Sequence, residues 1–256
     1  MNKKKSQLAD AAQRLALLWG THTHPGRSGL TLKAIIIGAM EIADASGIEA
    51  LSMRSVAERL GVGTMSLYTH VPGKPELFDL MLDTAFGEVY KSVDEPSQQP
   101  GDWQDALRFI AQRNWQLYQS HPWMLELLPG RPVLGPHASL KYEAELRPLD
   151  QLGLNDLEMD ATLTLILTHV EGCARSDAAI KRSQRDTGVT DAEWWVVQGP
   201  LLEKIIDPAA FPTATRVGTS AGEAFQGASN PEYQFAFGLE RILSGVHTLI
   251  QAKTKQ

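Results

Sequence analysis

From Met65 to Lys74 the chain carries Ser66, Tyr68, Thr69, His70 and Lys74 and no carboxylate, although the whole sequence has 30 Asp and Glu against 24 Lys and Arg. Hydroxyls, an imidazole and an ammonium group make hydrogen bonds to phosphate oxygens and base edges. A carboxylate in their midst would repel a nucleic-acid backbone. The chemistry on offer is recognition of a polyanion rather than bond breaking. The plainer alternative is a small three-helix core with a solvated outer face.

Bond-breaking motifs are missing. The sequence contains no GxSxG elbow, phosphate-binding P-loop, dinucleotide fingerprint or HExxH. His169 and Glu171 are two apart on one helix and point in different directions. His22 and His24 invite a metal reading, but no acid or cysteine accompanies them. The sequence therefore predicts no enzyme, no metal site and no cofactor.

The elements that must position the acid-free stretch are legible in the segment LSMRSVAERLGVGTMSLYTHVPGKPELFDLML, Leu51 to Leu82. Ser52 is the expected N-cap, and Met53, Val56, Ala57 and Leu60 follow as one apolar stripe at helical spacing. Arg54, Ser55, Glu58 and Arg59 fall off it. Gly61-Val62-Gly63 breaks the helix, with Gly61 suited to the positive φ of a helix C-terminus. A second helix is expected from Met65 to Val71, capped by Thr64, with Leu67 and Val71 inward. Pro72 ends it, and Pro75 suits the first turn of a third helix running to Tyr90. Helix, glycine turn and helix are the geometry that lets one short helix enter the major groove of DNA.

Thr31 to Val89 resembles the DNA-binding domain of the TetR family of bacterial transcriptional regulators, on the strength of LSMRSVAERLGVGTMSLYTHVPGK and the preceding IIGAMEIADASGIEALS. The resemblance implies an all-α fold, an N-terminal helix-turn-helix domain over 30–90 followed by a helical ligand-binding and dimerisation domain over 101–256. It implies that Arg54, Thr64, Met65 and Ser66 approach bases and that Tyr68, His70 and Lys74 hold phosphates. Thr69 stands where many relatives carry a large aromatic. The implied function is a ligand-responsive regulator, a repressor released from double-stranded operator DNA by a small apolar or aromatic effector. The alternative from another class is a sensing or sequestering protein with degenerate DNA binding.

Charge agrees with one local footprint. Residues 1–91 hold ten Lys and Arg against nine Asp and Glu, about +1, and the remainder fourteen against twenty-one, −7. Phosphate repulsion keeps the acidic part off DNA. Residues 1–29 read as an extension: a short amphipathic helix from Leu8 to Trp19, then a turn-rich THTHPGRSG linker. Lys3, Lys4, Lys5 and Arg27 are either solvated charge or an arm touching phosphates. No apolar run reaches the roughly 18 residues of a membrane span, and MNKKKSQLAD lacks an apolar signal core, so a cytoplasmic protein with no membrane partner is expected.

Beyond the polar, proline-bearing KSVDEPSQQPGD the pattern is helical throughout. Helices are expected over Trp103–Tyr118, Trp123–Leu128, His137–Leu152, Asn155–Arg182, Asp191–Ile206 and Pro231–Ala252, with 207–230 a loop. Trp103, Trp115, Trp123, Tyr142, His169, Trp194 and Trp195 could line a pocket for an aromatic ligand, joined by Met124 and Phe211; singly, each is more simply a packing residue. His121, His169, Arg175 and Asp177 could orient such a ligand. Cys173 reads as a small buried hydrophobe. Surplus apolar surface on Asn155–Arg182 and Pro231–Ala252, including Ile242 and Val246, marks these helices as a homodimer interface.

Overall fold

The computed structural model describes residues 11–20, 30–128 and 130–254; Lys3–Lys5, His22, His24 and Arg27 lie outside the described residues. Among the described residues every regular element is helical, and none is long and apolar enough to cross a membrane. The chain divides into two compact units, one of residues up to Thr164 together with Leu249 onward, the other Leu165–Thr248.

In the first unit a short helix α1 covers residues 11–18. Helix α2 (Leu32–Ser46) starts where the Thr31 hydroxyl accepts the Ala34 amide and stops at Gly47, whose φ of 79° no longer continues the helix. Helix α3 (Met53–Leu60) opens with a reciprocal cap: Ser52 accepts the Ser55 amide, and Ser55 accepts the Ser52 amide. Gly61 closes it in the left-handed region, at φ 66°. Helix α4 (Thr64–Tyr68) follows, then α5 (Lys74–Phe86) with proline in its first turn. Ile35 and Ala39 from α2, Val56 from α3, Leu67 and Val71 from α4 and its exit, and Leu77 and Met81 from α5 are all buried. Burying each aliphatic of this size contributes about 1.5–3 kcal/mol, which is what holds a helix of five residues that could not persist alone.

Between Leu51 and Tyr90 the expected start and stop positions move in three places, and farther on the helix expected over His137–Leu152 ends at Leu146. Thr64 is the first helical residue rather than the cap; Gly63 takes the cap position and offers no side chain. Helix α4 ends at Tyr68, three residues before Val71, because Thr69 to Val71 are pulled into a tighter turn by bonds back to Leu67. Helix α5 stops at Phe86 rather than Tyr90, since the Gly87, Glu88 and Val89 amides tighten onto the carbonyls three residues back, of Thr84, Ala85 and Phe86.

The rest of the first unit is α6 (Trp103–Ser120), α7 (Met124–Leu127), α8 (Pro136–Leu146) and the first turns of α9 (Asp156–Thr187). Helices α5 and α8 are joined by Asp83, which is buried and accepts the backbone amides of His137 and Ala138 at 3.4 and 2.9 Å. It caps α8 from another helix, a carboxylate at the positive end of the α8 dipole. Burial pushes its carboxyl above the ordinary range, and those amides and His137 oppose the shift.

A second buried link lies deeper. Glu145 on α8 is 1 % exposed. It takes Lys141 Nζ at 2.7 Å, the Tyr90 hydroxyl at 2.8 Å and Asn114 Nδ2 at 2.7 Å. Burial, with Glu145 beside it, raises the Tyr90 phenol far above its ordinary value. Lys141 Nζ also lies 5.6 Å from the centre of the Phe86 ring.

In the second unit, α9 continues to Thr187, five residues past Arg182, and α10 (Asp191–Ile205) carries Pro200 in its interior. The expected 207–230 loop instead contains a helix, α11 (Pro212–Phe225). Its small residues read as a loop by composition, yet they allow close approach. A Cβ on Gly222 would lie 2.7 Å from Trp195 Cζ2, so the indole packs directly on the helix backbone. Helix α12 (Pro231–Thr254) closes the chain. His169 on α9 stacks on Phe235 of α12 with ring planes 5° apart, and its Nε2 meets the Phe235 carbonyl at 3.0 Å. Cys173 is buried, and burial pushes its thiol up.

Removing Glu145 alone leaves the Lys141 ammonium buried without its partner, so Glu145→Ala should cost about 3–5 kcal/mol. Lys141→Met combined with Glu145→Leu should cost far less, because no charge is stranded. Urea unfolding followed by circular dichroism distinguishes the two; equal losses would show that the pair is not the source of the effect.

Candidate nucleic-acid interface and ligand cavity

Helix α4 presents its side chains as its short length dictates. Met65 is 77 % and Tyr68 44 % exposed, and Thr69 and Arg54 are exposed beside them. Thr64, Ser66, His70 and Lys74 are half-buried. Thr69 donates its hydroxyl to the Ser66 carbonyl at 2.7 Å, which ends the helix and fixes that side chain. His70 is turned inward, with Nε2 buried and without a hydrogen-bond partner among the described residues. Lys74 extends across the Phe78 ring, 5.2 Å from its centre, which orients the ammonium without neutralising it.

Arg54 on α3 is paired with Glu58 one turn on, Nε to Oε1 at 2.7 Å, and that carboxylate raises its pKa. The pair is open to solvent, so the guanidinium can exchange Glu58 for a base edge at little cost. Arg59 is engaged elsewhere, at 2.5 Å from Glu41 on α2.

The acid-free stretch ends at Glu76, and sequence reasoning missed how its charge is met. Arg14 of α1 reaches Glu76 at 3.0 Å and Asp79 at 3.5 Å. Gln13, Arg14 and Leu17 thereby share a groove with Tyr68, Thr69, His70, Pro72 and Glu76. The Trp19 indole donates to the Leu134 carbonyl at 2.9 Å. No periodicity in α1 points to either partner.

The seven candidate ligand residues do not gather. Trp115 and Trp123 are buried in the first unit, where the Trp123 indole donates to Asp44 at 2.6 Å. Trp103 opens α6 and is half-buried. Tyr142 is exposed and donates to Asp160 at 2.8 Å, an anionic acceptor that raises its phenol. In the second unit His169 is held against Phe235, and Trp194 and Trp195 sit side by side with ring centres 6.2 Å apart. Met124 is buried and Phe211 exposed. Arg175 and Asp177 are occupied by Glu171 and Lys181, each at 2.7 Å, and His121 by Asp44 and Glu88.

Of that set, Trp195 alone lines a cavity of about 390 Å³ between α10 and α11. Val196, Leu202 and Ile206 supply its apolar wall, Gly218 and Gly222 its floor, and Glu203, Glu223 and Gln226 its polar groups. The Thr215 hydroxyl is buried in the same wall with no partner among the described residues. A hydroxyl so placed costs about 1–3 kcal/mol unless something bonds to it.

A glycine-turned pair of short helices, the second with an acid-free outer face, joined to a helical segment with an apolar cavity, defines a DNA-binding regulator. Two family models match the chain: "Bacterial regulatory proteins, tetR family" over residues 35–81 and "Tetracyclin repressor-like, C-terminal domain" over 95–250. The HTH-type transcriptional repressor DrrR1 of Streptomyces coeruleorubidus is 42% identical over 250 residues, spanning 94% of this chain and 87% of that one. A transcriptional regulator of Saccharopolyspora erythraea is 32% identical over 64% of this chain and 67% of its own. The crystal structure of apo ActR from Streptomyces coelicolor superposes with a TM-score of 0.71 at 27% identity, covering 90% of this chain and 99% of ActR. ActR has also been crystallised with actinorhodin, a structure of TM-score 0.67 at 27% identity covering 85% and 95% of the two chains. The chain belongs to the TetR family of helix-turn-helix transcriptional regulators.

Gly222→Val would push branched methyls into the Trp195 ring, an overpacking cost of about 1–3 kcal/mol. The expected result is a lower Tm together with a shifted tryptophan emission. Unchanged emission would mean that the indole does not lie on α11.

Proposed function

We propose that the chain acts as a homodimeric repressor that holds operator DNA through α3 and α4 and releases it when a small apolar or aromatic effector binds the 101–256 segment. The observation that carries the reading is α4 itself: five residues, proud of their support, with exposed Met65 and Tyr68 and no acid before Glu76. Arg54, Thr64, Met65, Ser66 and Thr69 face base edges; Tyr68, His70 and Lys74 face phosphates. His70 does so through Nδ1, its Nε2 being inward.

Two copies are needed because one five-residue helix contacts too few base pairs to select a site in a genome. Helices α9 and α12 supply the interface. Leu165 on α9 and Tyr233, Phe237 and Leu249 on α12 are exposed, whereas Val246, expected at that face, is buried in its own chain at 5 %. Probes of the interface therefore belong at Leu165 and Leu249 and not at Val246, where a charge would unfold the protomer.

The effector occupies the α10–α11 cavity, whose volume of about 390 Å³ falls within the range of small-molecule sites. Trp195 offers a stacking face and Thr215 an unmet hydroxyl. The crystal of ActR with actinorhodin supports a small-molecule effector. Sequestration without DNA binding is disfavoured by the intact α3–turn–α4 core.

Gel shifts with the duplex from the protein's own upstream region test the docking. Lys74→Ala and Tyr68→Phe should weaken binding to every sequence alike, and Lys74→Ala should flatten the salt dependence by about one unit. Arg54→Ala should cost about 1–3 kcal/mol and relax preference at one base pair. Unaltered affinity in all three sinks the proposed face.

Sedimentation at micromolar concentration should give twice the chain mass for the native protein and a monomer for Leu165→Glu with Leu249→Glu. A dimer that survives both charges places the interface elsewhere.

A further inference from the structure

The turn from α6 to α7 carries a cluster that neither α4 nor the cavity uses. His121 ends α6 and is 8 % exposed. Its Nδ1 lies 2.7 Å from Asp44 Oδ1 on α2, and its Nε2 lies 3.0 Å from Glu88 Oε2, just past α5. Asp44 Oδ1 also accepts the Trp123 indole N–H. Three segments, the support helix of the DNA-facing pair, the exit of α5 and the α6–α7 turn, thus meet on one imidazole.

An ionised carboxylate offers only lone pairs, so each ring nitrogen must donate. That requires the imidazolium. Neutral imidazole has one N–H and one lone pair, so losing a proton sets lone pair against lone pair at Asp44 or at Glu88. We propose that His121, held as an imidazolium between Asp44 and Glu88, is a positioning residue that pins α2 and the α5 exit to the α6–α7 turn, and that its deprotonation, by costing one of those two bonds, loosens α2 and with it the DNA-facing helices. The pin is independent of which molecule the cavity takes.

The neighbouring charges support this. Burial is the largest influence on His121 and opposes its charge, but the hydrogen bonds and charges of Asp44 and Glu88 together outweigh it and raise its pKa. Arg113 of α6 binds the carbonyls of Val89, at 2.5 Å, and Glu88, at 3.4 Å. Being permanently charged, it holds the α5 exit at any pH. His137 of α8 sits against Gly87 on the same exit. Because the folded value is raised, the pin is fully present below the ordinary histidine value of about 6.5 and is lost as pH rises through the folded value.

Histidine NMR titration of the full chain, with hydrogen exchange of 32–46, tests the pin. His121 should titrate above free histidine, and Asp44→Asn and Glu88→Gln should each lower its proton affinity about tenfold or more. Trp123→Phe, which removes an uncharged partner of Asp44, should leave the midpoint raised. Below the midpoint, His121→Gln should speed exchange in α2, while above it variant and native protein should exchange alike. Affinity for the upstream duplex should fall over the same pH range in the native protein and stay level in His121→Gln. A midpoint at or below that of free histidine overturns the proposal, as does α2 exchange that ignores both pH and the substitution. Should His121→Gln fail to fold, the two carboxylate variants carry the same comparison.

Discussion

Helix α5 is buried on two opposite sides, and most of the first unit follows from that. Leu77 and Met81 close the core of α2, α3 and α4, while Asp83, two residues on, caps the start of α8. A thirteen-residue helix has too little rotational freedom to satisfy one neighbour at the expense of the other. Any displacement of α8 must either carry α5 with it or strip amide bonds from a buried carboxylate. The first is far cheaper, since an unmet buried charge costs several kcal/mol. The DNA-facing helices are therefore mechanically continuous with α6 to α8, even though one stretch is a recognition element and the other begins a separate family segment.

Two polar clusters strengthen that continuity in different ways. Glu145 with Lys141, Tyr90 and Asn114 is fully satisfied and does not titrate near neutrality through its phenol, whose pKa is raised far beyond that range. It acts as a fixed joint. His121 with Asp44 and Glu88 is satisfied only while the imidazole carries two protons. Charge buried in this way stabilises weakly but fixes geometry, because few other arrangements pair every group.

The DNA-facing face illustrates how a mildly acidic chain presents itself to a polyanion. Acids are excluded from Met65 to Lys74, and where they resume, at Glu76 and Asp79, Arg14 from α1 answers both. Helix α1 thus extends the electrostatics of a surface whose shape is set by α3 and α4. The second unit follows another logic: α10 and α11 leave much apolar surface exposed, including Val196, Ile205 and Val217, and form between them an open cavity floored by glycines.

Local sequence determined the helix-turn-helix. Ser52, Gly61, Pro72 and Pro75 each act within a few residues, and the apolar stripe of α3 needs only a 3.6-residue period. The family resemblance rests on the same short-range spacing. The acid-free face is equally local, as are the i,i+4 pairs that occupy Arg175 and Asp177. What tertiary structure alone decided is everything set by partners far apart in the chain. Helix α11 was missed because a stretch rich in Gly, Ala, Ser and Thr reads as a loop; Gly222 is what lets the Trp195 ring pack on its backbone. Trp123 and His121 read as ligand residues, since aromatic and imidazole groups in a helical segment fit a pocket. Asp44, 77 positions before His121, claims them instead. A long-range hydrogen bond leaves no trace in spacing, because its two halves are brought together only by the packing of the helices that carry them.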